Sequence, residues 1–274
     1  MKKKILTLLL AAAVTASLAG CAKGGDNAGA DDATTIKVGA NITPHSEILE
    51  QAKPILAEKG INLEIIQLED SITPNTGVID GSLDANYFQH VPYLEQFNEE
   101  NGSDLVSIGA IHYEPFGVYA GRVNDLKDLP DGALVAVPNN VTNEARALQL
   151  LAANGVITLK DGVGLEATKL DIVDNPKNIE IVELEAATIP ASLPDLAIGV
   201  INANYALGAG LTTDDAVAYE AADSEAAETY VNVIVVNAGN ENSEKTQALV
   251  KAIQTDAVKD FILNTYNGAV QPKF

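Results

Sequence analysis

The chain has 274 residues, of which 47% are hydrophobic and 20% are charged, so it is long enough for two domains and too apolar to remain disordered. Its formal net charge of −21 disfavours nucleic acid and anionic surfaces as partners. Because it contains a single cysteine, a disulfide framework and a cysteine-based zinc site are both excluded.

The N-terminal region has the pattern of a bacterial export signal. Three lysines at positions 2–4 precede a mostly apolar run, residues 5–14, and small residues follow it up to Leu-Ala-Gly-Cys21. The apolar run is shorter than the roughly 20 residues that a transmembrane helix needs. Leu-Ala-Gly-Cys resembles a lipobox, in which the cysteine is acylated and becomes the first residue after cleavage. We therefore predict a signal peptide over residues 1–20 and a lipid anchor at Cys21 on the extracytoplasmic face of the cell membrane.

Residues 21–35 contain no large apolar side chain, which predicts a flexible tether. From residue 36 onward, strand patterns alternate with helix patterns, and this alternation predicts an α/β fold with a parallel sheet. Pro54 predicts a kink or a break in the first helix. The predicted strands are 36–40, 62–68, 106–112, 116–120, 133–137, 179–184, 196–201 and 230–236. The predicted helices are 46–59, 78–83, 92–99, 143–153, 243–253 and 256–264.

The body divides into two α/β halves of comparable size. The C-terminal helices are expected to pack back on the first half, so that the chain crosses twice between two lobes and forms a hinge. The first lobe is then predicted to contain residues 36–115 and 236–274, and the second lobe residues 116–235.

The motifs of the common enzyme classes are missing from the sequence. It contains no Gly-x-Ser-x-Gly, no Gly-x-Gly-x-x-Gly, no Walker A loop and no His-Glu-x-x-His. In so acidic a chain, pairs of carboxylates are typical of a solvated surface. His45, His90 and His112 could converge on a metal, but their spacing is not that of metal ligands. We predict a protein that is not an enzyme and has no metal and no cofactor.

One of the two arginines is placed to bind an anion. Arg146 lies one turn into a predicted helix that follows directly on a strand, where backbone N–H groups and the helix dipole favour negative charge. A guanidinium at this position can bind a carboxylate through two hydrogen bonds. The alternative is an arginine on the helix surface that pairs with a glutamate. Arg122 precedes a turn, and we predict a surface role for it.

Aromatic and amide side chains mark two further candidate positions. Tyr87, Phe88 and His90 lie just ahead of a helix, in a segment that reads as a loop, and they either face a ligand or pack in the core. Asn202 ends an apolar strand, and Asn232 interrupts another. Since a buried amide must be hydrogen-bonded, each of them either holds a loop or faces a cleft at the carboxyl ends of the strands.

Several long blocks of the body resemble the methionine-binding lipoproteins of ABC importers, the MetQ family of NlpA lipoproteins. The blocks follow the family's order and together extend over essentially the whole body. The resemblance implies a two-lobed, periplasmic-binding-protein-like fold of type II, with one amino-acid site between the lobes. The blocks are residues 37–40, 44–49, 84–94, 112–119, 137–148, 175–178, 182–187, 200–206 and 230–232.

The resemblance also implies seven ligand-binding residues. Arg146 would bind the ligand carboxylate, and Asn143 lies nearby on the same helical turn. The amides of Asn202 and Asn232 would hold the amino or the carboxylate group. The thioether pocket would be lined by Tyr87, Phe88 and His90.

The implied function is the capture of L-methionine, or of a close relative such as D-methionine or a methionine-containing dipeptide. The partners would be the permease and the ATPase of an ABC importer. Two alternatives remain open at this point. The same scaffold could bind a different amino-acid-like ligand, or the chain could be a lipid-anchored surface hydrolase.

Replacing Cys21 with Ala is expected to abolish acylation, because the chain has no other thiol. Each CH₂ group of a lipid chain that is buried in the membrane contributes about 0.8 kcal/mol to membrane binding, so the unacylated protein should be released from the membrane. Metabolic labelling with a fatty-acid analogue measures the anchor, and Lys23→Ala serves as the control that keeps it. Label on the Cys21→Ala protein would contradict the lipobox.

Overall fold

The computed structural model describes residues 35–221 and 224–274. The predicted signal peptide, the acylated Cys21 and all but the last residue of the predicted tether lie outside these ranges. Over the two described ranges, no helix combines the length and the apolar character that would let it cross a membrane.

The described residues form an α/β fold with two larger sheets and one small hairpin. The strands are β1 (Thr35–Ala40), β2 (Asn62–Gln67), β3 (Ala85–His90), β4 (Leu105–Tyr113), β5 (Gly117–Ala120), β6 (Leu134–Pro138), β7 (Thr158–Leu159), β8 (Ile172–Asp174), β9 (Glu180–Leu184), β10 (Ile198–Ile201), β11 (Ala216–Tyr219), β12 (Val231–Asn237) and β13 (Gln271–Pro272). The α-helices are α1 (Glu47–Ala57), α2 (Thr73–Asp80), α3 (Val91–Asn101), α4 (Val141–Ala153), α5 (Ile189–Ser192), α6 (Ala203–Gly208), α7 (Ala226–Thr229), α8 (Glu244–Ile253) and α9 (Asp256–Tyr266). Short helical turns cover Ile42–Ser46, Leu126–Asp128, Gly164–Glu166, Lys169–Asp171, Ala186–Thr188, Leu193–Asp195 and Thr213–Asp215.

The first lobe is built on a six-stranded sheet in the order β13-β4-β12-β3-β1-β2. Strand β1 runs parallel to β2 and β3, whereas β12 is antiparallel to β3 and β4. Helices α1, α8 and α9 bury Leu49, Leu249 and Ile262 against one core of this lobe. Helices α2 and α3 contribute Val78 and Phe97 to a second core. The C-terminal helices therefore pack on the first sheet, as predicted.

The second lobe is built on a five-stranded sheet in the order β11-β5-β10-β6-β9. Side chains of β6 alternate between its two faces, as the twofold period of a strand requires. Val135 and Val137 pack in the core that contains Leu148 of α4, whereas Ala136 packs in the core that contains Ile189 of α5. Helices therefore cover both faces of this sheet.

The chain crosses between the two sheets twice, after Tyr113 and after Tyr219. The whole of β12 lies in the first sheet, where it pairs with β3 and β4. The predicted lobe boundary between residues 235 and 236 is therefore wrong, and residues 231–235 belong to the first lobe. The apolar pattern of this segment predicts a buried strand, but it does not identify the sheet that buries it.

Three local predictions also change. Residues 85–90, which read as a loop, form β3 and are buried at every position. The helix predicted over residues 78–83 is α2, which begins at Thr73 next to Pro74 and ends before Gly81, whose φ is +80°. Helix α1 continues through Pro54. That proline is exposed, so solvent can satisfy the carbonyl group that its missing N–H leaves unpaired.

Candidate functional site

A cavity lies between the two lobes. It is located at the carboxyl ends of β3, β6 and β10, where open α/β sheets place their ligands. Six of the seven ligand residues predicted from the sequence line this cavity: Phe88, His90, Asn143, Arg146, Asn202 and Asn232.

Tyr87, the seventh predicted residue, does not line the cavity. Its side chain is fully buried in the core of the first lobe, and its hydroxyl forms a hydrogen bond with His112 Nδ1. Successive side chains of a strand point to opposite faces, so Tyr87 and Phe88 cannot both face the cavity once residues 85–90 form β3. The prediction for Tyr87 is corrected for this reason.

Arg146 is buried in α4 and forms a two-pronged ion pair. Its Nε donates to Glu220 Oε1 at 2.8 Å, and its Nη2 donates to Glu220 Oε2 at 2.5 Å and to the carbonyl oxygen of Glu114 at 2.8 Å. The guanidinium carbon lies 4.2 Å from the ring centre of Tyr230 and 4.8 Å from that of Phe116. Across the described part of the chain, Nη1 has no hydrogen-bond partner, so this edge of the guanidinium remains available to a ligand.

The partner carboxylate is held in its ionised form. Burial alone would raise the pKa of Glu220, but the charge of Arg146 and its hydrogen bonds offset burial and hold that pKa below its usual range. Tyr113 Oη and the Phe116 backbone N–H also donate to Glu220, at 2.7 and 2.9 Å. Charge-assisted hydrogen bonds of this kind are about twice as strong as neutral ones.

Asn143 connects two of the predicted residues. Its Oδ1 accepts from Asn202 Nδ2 at 2.9 Å and from His90 Nε2 at 3.2 Å, and its Nδ2 donates to Asn140 Oδ1 at 2.8 Å. Asn202 Oδ1 is buried and has no hydrogen-bond partner among the described residues. A buried acceptor without a partner is costly, so this oxygen is available to a donor that enters the cavity.

His90 contacts both lobes. Its Nδ1 accepts from the Tyr93 backbone N–H at 3.2 Å and so caps the N-terminus of α3. A ring nitrogen that accepts carries no hydrogen, so the neutral ring has its hydrogen on Nε2, which donates to Asn143 in the second lobe.

Two of the three histidines come together in the first lobe. Ligand atoms of His45, His112 and Glu114 lie within 4.8 Å of one another, while His90 lies outside this group. His112 Nε2 donates to Glu114 Oε1 at 2.6 Å, and His45 Nε2 donates to Asn232 Oδ1 at 3.0 Å. All three histidines therefore do not converge on one point. The two that meet do so in a hydrogen-bond network beneath the cavity.

The sequence analysis missed Glu114, which lines the cavity, and Glu220, which pairs with the cavity-lining Arg146. Glu114 directly follows β4, and the strand-end rule that identified Asn202 would also have found it. Its Oε2 accepts from the Asn204 backbone N–H at 2.8 Å. Burial would raise the pKa of Glu114, but the His112 hydrogen bond and the nearby His45 hold it below its usual range. Glu220 lies in an acidic stretch whose sequence is typical of a solvent-exposed segment.

Comparison with known proteins gives consistent matches over the folded body. The sequence profile of the NlpA lipoprotein family matches residues 36–274. The D-methionine-binding lipoprotein MetQ of Salmonella typhimurium is 41% identical over 261 residues, which cover 94% of this chain and 95% of the relative. The crystal structure of a lipoprotein from Ruminococcus gnavus has a TM-score of 0.87 at 57% identity and covers 88% of this chain and 100% of its own. A nutrient binding protein from Burkholderia cenocepacia, solved with bound methionine, has a TM-score of 0.83 at 43% identity, covering 87% and 100% of the two chains.

Because His45 and His90 are buried, we expect acid to lower the free energy of unfolding. Burial, the largest influence on each ring, lowers the pKa of His45 and of His90 from 6.5 to about 4. Between these pH values the unfolded chain takes up protons that the folded chain does not, so the free energy of unfolding should fall as the pH drops from about 6.5 to about 4. Each histidine contributes on the order of 3 kcal/mol to this loss.

Urea unfolding at several pH values across this window measures the effect. His90→Asn keeps an acceptor at the N-terminus of α3 but does not titrate, so its stability should fall less steeply with acid than that of the wild-type protein. Identical slopes for the two proteins would contradict the assignment of this acid sensitivity to His90.

Proposed function

The chain belongs to the NlpA lipoprotein family, and on that premise we propose that it captures methionine outside the cytoplasmic membrane and delivers it to an ABC importer. Relatives named for methionine binding, together with a structural neighbour that holds methionine, support this ligand. An acylated Cys21 would keep the protein at the membrane, close to the permease and its ATPase.

The observation that carries the proposal is the pair of unused polar groups in one cavity. The free Nη1 edge of Arg146 is a donor suited to a carboxylate, and the unpartnered Asn202 Oδ1 is an acceptor suited to an ammonium group. Arg146 is neutralised by Glu220, so the ionised Glu114 leaves the cavity one negative charge that favours an ammonium group. These groups match the two ends of an amino-acid zwitterion.

The rest of the cavity suits an unbranched apolar side chain. Phe88 and Tyr93 meet edge to face with ring centres 6.0 Å apart, and both line the cavity together with His90 and Ala186. A thioether is polarisable and packs well against aromatic rings. An apolar slot with a few fixed polar groups is the usual form of a small-molecule site.

Contacts between the lobes support capture and release by hinge motion. Gln96 Oε1 accepts from the Thr142 backbone N–H at 3.4 Å, and Asn204 Nδ2 donates to Asn41 Oδ1 at 3.1 Å. A ligand between the lobes is shielded from water while these contacts hold and is released when the lobes separate.

We propose no catalytic role for the cavity. Glu114 and Glu220 are the buried carboxylates nearest the ligand groups, and the pKa of each is held below its usual range. Hydrolysis by a carboxylate pair needs one member that holds a proton, and neither of these two does. This argues against the surface hydrolase.

Replacing Arg146 with Lys is expected to weaken methionine binding by roughly 2 kcal/mol or more. A lysine keeps the charge opposite Glu220, but a single ammonium group cannot pair with that carboxylate and also present a flat donor edge to the ligand. Arg122→Lys is the matched control, because Arg122 is exposed and bonds to Asp195 at 3.2 Å. Calorimetry on both variants measures the difference, and equal losses would remove Arg146 from the site.

A panel of amino acids tests the ligand itself. Methionine should raise the melting temperature and norleucine should raise it less, because the contact of sulfur with the rings contributes about 0.3 to 1.5 kcal/mol. Aspartate and lysine should not bind, because their side chains would bury an unpaired charge. Phe88→Leu should reduce the difference between the melting temperatures measured with methionine and with norleucine. Phe261→Leu, at a residue that does not line the cavity, should leave this difference unchanged.

Two outcomes of this panel would overturn the proposal. If aspartate or lysine displaced methionine, the scaffold would serve a different amino-acid-like ligand. If substrate were turned over without saturable stabilisation, the hydrolase alternative would hold.

A further inference from the structure

We propose that His45, which does not itself line the cavity, fixes the direction of the Asn232 side-chain amide and so determines which end of the ligand Asn232 receives. This inference rests on the proposed function and adds to it a residue that positions another. His45 lies in the turn before α1, is 1% exposed, and contacts the cavity-lining residues Asn232 and Glu114 from behind the cavity wall.

The orientation of the Asn232 amide is determined first by the ionised Glu114 carboxylate, which can only accept hydrogen bonds. Its Oε1 lies 2.6 Å from His112 Nε2 and 3.5 Å from His45 Nε2. The His112 contact is a hydrogen bond, so His112 Nε2 carries a hydrogen. The His45 contact is an electrostatic one, and because a bare nitrogen lone pair would be repelled by the carboxylate oxygen at this distance, we assign the hydrogen of His45 to Nε2 as well. The second nitrogen of His45, Nδ1, is buried and has no hydrogen-bond partner in the described ranges, so nothing there favours the other tautomer.

The His45 tautomer in turn orients Asn232. Because Nε2 donates, the atom that faces it at 3.0 Å must be the amide oxygen, and the structure has Oδ1 there. The Asn232 amide nitrogen then points away from His45, and within the described residues it has no hydrogen-bond partner. Since Asn232 lines the cavity, this nitrogen offers two N–H donors to a ligand.

The two amides of the site consequently have opposite polarity. Asn143 accepts a hydrogen bond from the amide nitrogen of Asn202, so the amide oxygen of Asn202 remains a free acceptor. His45 donates to the amide oxygen of Asn232, so the amide nitrogen of Asn232 remains a free donor. A carboxylate therefore belongs with Asn232 and Arg146, and an ammonium group belongs with Asn202. A reversed Asn232 would place an oxygen against the ligand carboxylate.

The tautomer can be measured without any ligand. Nitrogen-15 NMR of the imidazole rings, assigned with a His45→Gln variant, should show His45 at neutral pH with its hydrogen on Nε2 and a bare Nδ1. A hydrogen on Nδ1 would overturn the inference. This measurement stands even if the wild-type protein fails to bind methionine, a result that would refute the proposed function on its own.

Binding then tests the consequence. His45→Gln places an amide donor near the position of Nε2 and should keep methionine affinity within about threefold, whereas His45→Leu lacks the donor and should lose about tenfold or more. Methioninamide, whose terminal amide accepts either orientation of Asn232, should lose clearly less than methionine in His45→Leu. Unchanged methionine affinity, or equal losses for both ligands, would overturn the inference. If His45→Leu does not fold, a large loss of methionine affinity in the folded His45→Gln protein would also overturn the inference.

Discussion

The ion pair between Arg146 and Glu220 is the interaction on which the rest of the site depends. Moving a charged group out of water costs several kcal/mol, and here that cost is offset because each charge is paired and also hydrogen-bonded. Arg146 comes from the second lobe, and its guanidinium binds Glu220 on the returning connection and the Glu114 carbonyl on the outgoing one. The Arg146 side chain thus forms hydrogen bonds with both segments that connect the two lobes.

This arrangement explains how the cavity can carry a fixed cation and still receive a neutral zwitterion. Glu220 cancels the charge of Arg146 and occupies one edge of the guanidinium, so that the other edge keeps its orientation without a ligand. On the proposed function, the amides and the ionised Glu114 would distinguish the two ends of the ligand by donor and acceptor character. On that proposal, specificity for an amino acid would rest on the direction of hydrogen bonds more than on net charge.

The sequence places residues at the cavity well where a simple geometric rule applies. Arg146 and Asn202 both line the cavity, because a strand end and a helix start define a cleft, whatever the rest of the fold. Tyr87 was misplaced because its segment has no clear strand pattern, and only the observed strand shows that it points away from Phe88. The sheet that receives β12 and the burial of Glu220 depend on contacts between segments more than 70 residues apart, such as Arg146 with Glu220, for which local sequence has no signal.

The double role of His90 links a local event to a global one. The same ring caps the first turn of α3 and bonds to Asn143 across the cleft, and the cap is what keeps its hydrogen on Nε2. Fraying of that first turn would free the ring to change tautomer and to turn an acceptor toward the Asn143 oxygen. A hydrogen bond between the lobes and the first turn of α3 therefore depend on the protonation of the same ring.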